Sequence, residues 1–486
     1  MKLYFSDFFE VSPAKLRRYG AFNISLVSDL PLFIDPFLLF NSRRPEFREL
    51  HERIIKYLRF LRDKSADPNL DPGLVKALYR FPEVYQNWLG FTVSGNKGSG
   101  LGSKFATSLH RNLHRLFSSF GSETLTKGSH LEKLCLIERG VGRDNISDFT
   151  TNLVKSYLLR YTETFAREFI RKGLRKRIMV EKVHFNYRTE SWEARSFVLP
   201  VHENDYVLLT PRNMLTKDDT WISRSELVHN FDRVREALPN EELRAQINNY
   251  LRKILPKKPT SKQRLLAVDA AISAYPQIID TFIKEREDHG YLAQSMSIGK
   301  VRTSEQLYLK QFGGLVDLLS EKSSFYQISG RTYTEALTRV RFLKDVIENK
   351  GGHKIFYLNG RLLQRESDAH VLYRLTWFAS PSKIHREVND GRGPADFVVS
   401  EGSRDASIVE FKLASNPKLE KNLRYQTKTY EKASDASKSI RVILYFSKTE
   451  QNRVEAILKR LKLINDESIV LIDARNDNKP SGSKAA

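Results

Sequence analysis

A single cysteine, Cys135, occurs in 486 residues, which excludes a disulfide framework and a cysteine-rich zinc site. It is expected to be a small buried apolar residue. No apolar run approaches the ~20 residues that a membrane-spanning helix needs, and no isolated basic amphipathic anchor stands out. The N-terminus, Met1-Lys2-Leu3-Tyr4-Phe5-Ser6-Asp7, meets an acidic residue too early for a secretory apolar region. The expectation is a soluble, cytoplasmic chain with no membrane partner. No glycine is followed directly by Lys-Ser or Lys-Thr, so Gly95 to Lys104 reads as a linker, not a phosphate-cradling P-loop. Any ATP motor would therefore be a separate subunit. No period of 20 to 50 residues repeats, which sets solenoids and propellers aside.

Acidic residues are also in deficit, 58 against 80 lysines and arginines, for a formal charge of +22. Such an excess favours a polyanionic partner through Coulomb attraction and counterion release, and nucleic acid is the first candidate. The length calls for more than one domain. The chain reads as an α/β multidomain protein. Residues 1–175 form a basic, mainly helical region, 176–220 a small β-rich segment, and 221–350 a second helical region. Residues 351–474 follow as an α/β domain with a central mixed sheet, and 475–486 as a disordered tail.

Leu50, Ile54, Ile55, Leu58 and Leu61 predict a helix over 45–64. A longer helix from Asp148 carries the stripe Leu153, Val154, Tyr157, Leu158, Tyr161, Phe165 and Phe169, with Gly173 as its terminator. Arg160, Arg167 and Arg171 share another face, either a phosphate-tracking row or a solvated surface. Strands are predicted at Val180–Phe185, Phe197–Leu199 and Tyr206–Leu209. Asp35, Asp144 and Asp148 read as turn and helix-cap residues in preference to a second acidic site.

The chemistry concentrates near the C-terminus. A helix is predicted over 362–378, with Glu366 and Asp368 near its start and Ser380-Pro381 ending it. Strands follow at Lys383–Val388, at Asp396–Val399 and at Ser407–Leu413, the last two forming a hairpin. Alternation puts Glu410 and Lys412 on one strand face, with Val409, Phe411 and Leu413 on the other. Charged groups on an otherwise apolar strand are costly to bury unless they pair or bind a metal, and Asp396 supplies a second carboxylate. Together they suit magnesium-assisted hydrolysis of a phosphodiester, with Lys412 orienting water or adding positive charge. The next helix, about 419–433, carries Leu423, Gln426, Tyr430 and Ala433 on its inward stripe. Lys421, Arg424 and Lys428 occupy more exposed positions suited to backbone phosphates, and a strand at Ile440–Phe446 closes the unit.

Asp396, followed 14 positions later by Glu410-Phe411-Lys412, resembles the active-site pattern of the PD-(D/E)xK nuclease superfamily. Gln426-x-x-x-Tyr430 is similar to the pair that follows the lysine in recombination-helicase nuclease domains and related CRISPR-adaptation nucleases. The resemblance covers about a quarter of the chain. It implies a restriction-endonuclease-like fold, catalytic Asp396, Glu410, Lys412, Gln426 and Tyr430, and Glu366 as the first-helix acid, with Asp368 almost as well placed. Asp396, Glu410 and Glu366 would hold Mg2+, with Mn2+ as a substitute. Pro394-Ala395-Asp396 departs from the literal Pro-Asp by one inserted residue.

The expected activity is a metal-dependent endonuclease, acting on DNA, with Arg392, Lys421, Arg424, Lys428, Arg160, Arg167 and Arg171 as nucleic-acid contacts. A nuclease domain behind a large non-catalytic region is similar to restriction and anti-phage effectors, and the expectation that follows by this analogy is a homo-oligomer or a partner subunit of a defence system. The alternatives are an RNase, or an inactive nucleic-acid-binding scaffold on a nuclease fold.

Overall fold

The computed structural model describes residues 2–27, 29–90, 106–107, 109–110, 113–114, 123–137, 141–203, 205–217, 219–256, 259–322, 331–358, 361–362, 383–385, 397–401, 405–430 and 438–479. The chain is mixed α/β and mostly helical. The segment 95–104, read as a linker, lies outside the described residues. Among the described residues no helix is long and apolar enough to cross a membrane. Cys135 is buried, and burial pushes its thiol up from the ordinary range.

The N-terminal half is organised around two helices. Strand β1 (Leu32–Ile34) leads into the short helix α1 (Pro36–Phe40), capped by Asp35, whose Oδ1 accepts from Phe37 N at 3.0 Å. Asp35 Oδ2 accepts from Trp221 N at 2.8 Å, so this carboxylate also staples the first helical region to the segment after residue 217. Helix α2 (Pro45–Lys64) opens on a proline at its first turn, where the missing N–H costs nothing, and buries the predicted apolar stripe. Helix α3 (Arg143–Phe169) starts five residues earlier than the sequence suggests, because Asn145 Oδ1 accepts from Gly142 N and closes the N-terminus there. Asp144 lies in its first turn and Asp148 one turn on, neither of them capping it. The helix ends at Phe169, ahead of Gly173, so Arg171 falls outside it.

Strands β2 (Arg175–Asn186) and β3 (Ser191–His202) form a long antiparallel hairpin across α3, extended by the two-residue strand β4 (Asp205–Tyr206). Strand β5 (Leu215–Lys217) leaves this segment and pairs with β1 instead, a non-local pairing that local patterning does not encode. The register of the hairpin shifts between Val180 and His184, and Lys182 sits there at φ 50°. Such a bulge twists the strand and re-aims the side chains beyond it. Lys155 of α3 donates to Glu181 O at 2.7 Å and holds the bulge down; burial lowers its ammonium to about 8.

A run of helices from Arg224 to Lys322 follows. Helix α4 (Thr332–Asn349) lies within the second helical region of the sequence reading, 221–350, yet it packs on the C-terminal sheet. Thr332 Oγ1 meets Ser407 Oγ at 2.8 Å, and Glu348 Oε1 accepts from Asp473 N at 2.7 Å. The C-terminal packing unit therefore begins at Thr332, upstream of residue 351.

That unit contains a small β6–β7 pair (Tyr357–Leu358 and Arg361–Leu362) and a five-stranded mixed sheet. Its strands are β8 (Lys383–His385), β9 (Phe397–Glu401), β10 (Asp405–Leu413), β11 (Lys438–Tyr445) and β12 (Ile469–Asp473), in the order β12-β11-β10-β9-β8. β8, β9 and β10 are antiparallel neighbours, whereas β10, β11 and β12 run parallel. Helices α5 (Leu419–Tyr430) and α6 (Lys448–Leu461) supply the crossovers between the parallel strands. The strand at 440–446 does not close the unit: α6 and β12 continue it. Nor is the tail disordered from 475. Arg475, Asn478 and Lys479 fold back on Asp473; burial opposes ionisation of this carboxyl, but hydrogen bonds from Arg475 and Asn478 hold it down to about 2.

Candidate active site

Side-chain alternation divides the sheet into two faces. Val409, Phe411 and Leu413 of β10 join Ile440, Val442 and Leu444 of β11 in the core shared with α4. The opposite face carries Ala414, Ile443 and Tyr445, covered by Leu419 and Leu423 of α5 and Val454, Ile457 and Leu458 of α6. Glu410 and Lys412, even-numbered like Ala414, belong to this second face. Glu410 is only 2% exposed and Lys412 is half-buried. Thus an anionic and a cationic group alternate down a buried strand beneath a helix crossover, as the strand pattern predicts.

Phe397, which follows Asp396 in the chain, pairs with Val409, which precedes Glu410. Asp396 itself lies outside the described residues, as do Glu366, Asp368 and Arg392. Gln426 and Tyr430 fall within α5, but their side chains are outside the description. Leu419 and Leu423 of the same helix are buried against the sheet. Of the three expected metal ligands, Glu410 alone is described; it is a hard oxygen donor of the kind Mg2+ takes. Among the described residues no group of three or more His, Cys, Asp or Glu side chains converges as a metal site.

One residue of this face escaped sequence reasoning. Arg441 of β11 is in register with Glu410 and is 5% exposed. Parallel neighbours in register present their side chains to the same face at the ~4.8 Å strand spacing. The Arg441 guanidinium donates to Ser439 Oγ at 3.4 Å, and its Nη1 has no hydrogen-bond partner among the described residues. It is a buried positive charge beside the candidate carboxylate. Its only signal in the sequence is a lone charge at the start of an apolar strand, which cannot be assigned a neighbour without the β10–β11 register.

The expected nucleic-acid contacts are scattered. Lys421 and Arg424 are exposed on α5, with Arg424 bonded to Glu420 at 3.1 Å; the Lys428 side chain lies outside the description. Arg160 is exposed on α3, Arg167 is bound by Glu163 at 2.6 Å, and Arg171 pairs with Glu10 at 2.7 Å beyond the helix end. These three do not form one row: the helix stops before Arg171, and each of the last two has an acidic partner.

Two family models match the chain, both described as domains of unknown function: DUF8370 over residues 10–223 and DUF8371 over residues 332–448. The second match begins at the first residue of α4, where the C-terminal packing unit also begins. No curated protein and no solved structure matches the chain.

Proposed function

We propose that the C-terminal unit is a magnesium-dependent nuclease with a PD-(D/E)xK-like fold and site, cutting DNA as an endonuclease in an anti-phage or restriction role. The observation that carries this reading is the placement of Glu410 and Lys412 on one buried face of β10, with Phe397 in register beside Val409. A carboxylate taken out of water in this way needs a compensating charge, and metal coordination is one such compensation. Asp396 and Glu410, with Glu366 or Asp368 from the preceding segment, would hold the ion. When bound, magnesium supplies Lewis acidity toward a phosphate oxygen and lowers the pKa of coordinated water. Lys412, two positions on along the same face, contributes positive charge at the phosphate and orients the attacking water. Gln426 and Tyr430, on the helix that crosses this face, steady those groups by hydrogen bonding. The excess of lysine and arginine draws the polyanionic substrate.

Arg441 favours a second reading. A guanidinium in register with Glu410 offers the carboxylate its countercharge without any metal, and the unit would then be a nucleic-acid-binding scaffold. The two readings separate in one assay. Supercoiled plasmid, linear duplex, single-stranded DNA and RNA are incubated with wild type and Lys412→Ala, in magnesium or in EDTA. The nuclease reading expects magnesium-dependent cutting of DNA that the variant loses while keeping its affinity. Cutting of RNA alone would make the enzyme an RNase. Binding without cutting, unchanged by the variant, would favour the scaffold.

A further inference from the structure

We propose that the cleft between α2, α3 and the far end of the β2–β3 hairpin binds single-stranded nucleic acid, taking one unpaired base against its aromatic floor and flanking phosphates on its cationic rim. This site lies wholly in the N-terminal half, and the inference does not rest on the nuclease reading.

The cleft has a volume of about 610 Å³, within the range of roughly 300–1,000 Å³ typical of small-ligand sites. Its residues come from two helices and the two strands of the hairpin, which fold together. Arg53, Lys56 and Tyr57 occupy one face of α2 at i, i+3 and i+4, and Arg160 extends the facing stripe of α3. His184 to Tyr187 follow the bulge in β2, and Trp192 and Arg195 lie on β3. Arg53, Lys56, Arg160 and Arg195 line the cleft, and among the described residues that line it none is acidic. Four cations in one lining favour an anion there.

The floor explains why the anion should carry an aromatic ring. Trp192 lies 5.3 Å from Tyr57 and 5.2 Å from Phe185, centroid to centroid, in inclined geometry. Tyr57 is pinned by its hydroxyl, which donates to Leu78 O at 2.9 Å. Tyr187 extends the cluster outward, with the Lys56 ammonium 4.4 Å from its ring centre. Tyr57 and Phe185 are buried behind this surface and hold half-buried Trp192 and exposed Tyr187 in place, so these two are the rings left to stack on a base, whereas a duplex presents its phosphates and keeps its base faces covered.

The rim is available for phosphate. Arg53 pairs with Glu49 at 2.6 Å, but both side chains are about half exposed or more, and Arg195 meets Glu193 only at 3.4 Å. Exposed pairs of this type are weak and exchange readily for a phosphate oxygen. Arg160 has no acidic partner among the described residues and stands exposed at the edge of the cleft.

The test uses the full chain in EDTA, which suppresses cleavage, and fluorescence anisotropy of labelled single-stranded DNA, single-stranded RNA and blunt duplex. The variants are Lys56→Glu/Arg160→Glu, Trp192→Leu, Trp192→Phe, and a control with the same charge change at exposed helical sites away from the cleft, Lys253→Glu/Lys284→Glu. Melting curves accompany each. Single strands should bind more tightly than duplex. The cleft double variant and Trp192→Leu should each weaken single-strand binding by about tenfold or more, while Trp192→Phe and the control stay within about threefold of wild type. Neutralising Lys56 and Arg160 to alanine should lower the salt slope of log K by about 1.4. Equal weakening by the cleft and control doubles, or no effect of Trp192→Leu in a chain that melts normally, overturns the proposal. So does adenosine monophosphate binding as tightly as the oligonucleotides, which would make the cleft a free-nucleotide site.

Discussion

Replacing Glu410 with glutamine separates the catalytic from the structural account of β10. The side chain is 2% exposed on the central strand of the five, flanked by β9 and β11, with Arg441 in register beside it. Glutamine keeps the shape and a hydrogen-bond acceptor but removes the charge. The fold should lose about 1–3 kcal/mol, the usual cost of disturbing one buried polar contact. That is less than the roughly 3–5 kcal/mol of stripping a buried charge of its partner altogether, and it lowers the melting temperature by only several degrees in a chain of this size. Catalysis should fall much further. Loss of a carboxylate that holds the metal forfeits several kcal/mol of transition-state stabilisation. About 4 kcal/mol corresponds to roughly a thousandfold in rate. Single-turnover nicking of supercoiled plasmid gives the rate and differential scanning fluorimetry the stability. A variant that melts like wild type and cuts within about threefold of it refutes the assignment of Glu410.

Other expectations concern the rest of the molecule. Burial, the largest influence, pushes Asp148 up to about 8, with Glu83 and Asp144 adding to the shift. The folded state therefore retains a proton that the unfolded chain releases near pH 4, and this contribution to stability is present below pH 4 and lost as pH rises toward 8. Asp148→Asn should raise the melting temperature progressively more from pH 4 to pH 8 and by a constant amount above; a pH-independent difference would contradict it. In α4, Glu335 and Arg339 form an ion pair at 3.1 Å with side chains 1% and 0% exposed. Glu335→Ala should cost about 3–5 kcal/mol in urea unfolding and loosen the C-terminal sheet first. A loss below about 1 kcal/mol would show that the pair is not needed to hold α4.

Local periodicity made much of this architecture legible. The face division of β10 follows from Glu410 and Lys412 alternating with Val409, Phe411 and Leu413, and α2 matches the stripe from Leu50 to Leu61. Asp35 is the helix cap its Asp-Pro context suggests. What escaped is non-local. Helix α4 shows an amphipathic pattern in the sequence, but nothing in that pattern says which sheet its apolar stripe will meet. The pairing of β5 with β1 crosses more than 170 residues, and the Glu410–Arg441 register depends on where a crossover helix ends. Arg53, Arg160 and Arg195 come from three separate elements, so their common cleft appears only once the hairpin lies across α3. Helical spacing groups Arg167 and Arg171 with Arg160, yet Glu163 and Glu10 engage them.

Isothermal titration of Mg2+ into the metal-stripped chain tests the central claim without requiring substrate, trigger or partner. Wild type should show one saturable binding event that Asp396→Asn/Glu410→Gln loses at unchanged secondary structure. Equal binding by both chains, or none by either, would contradict a metal held between β9 and β10.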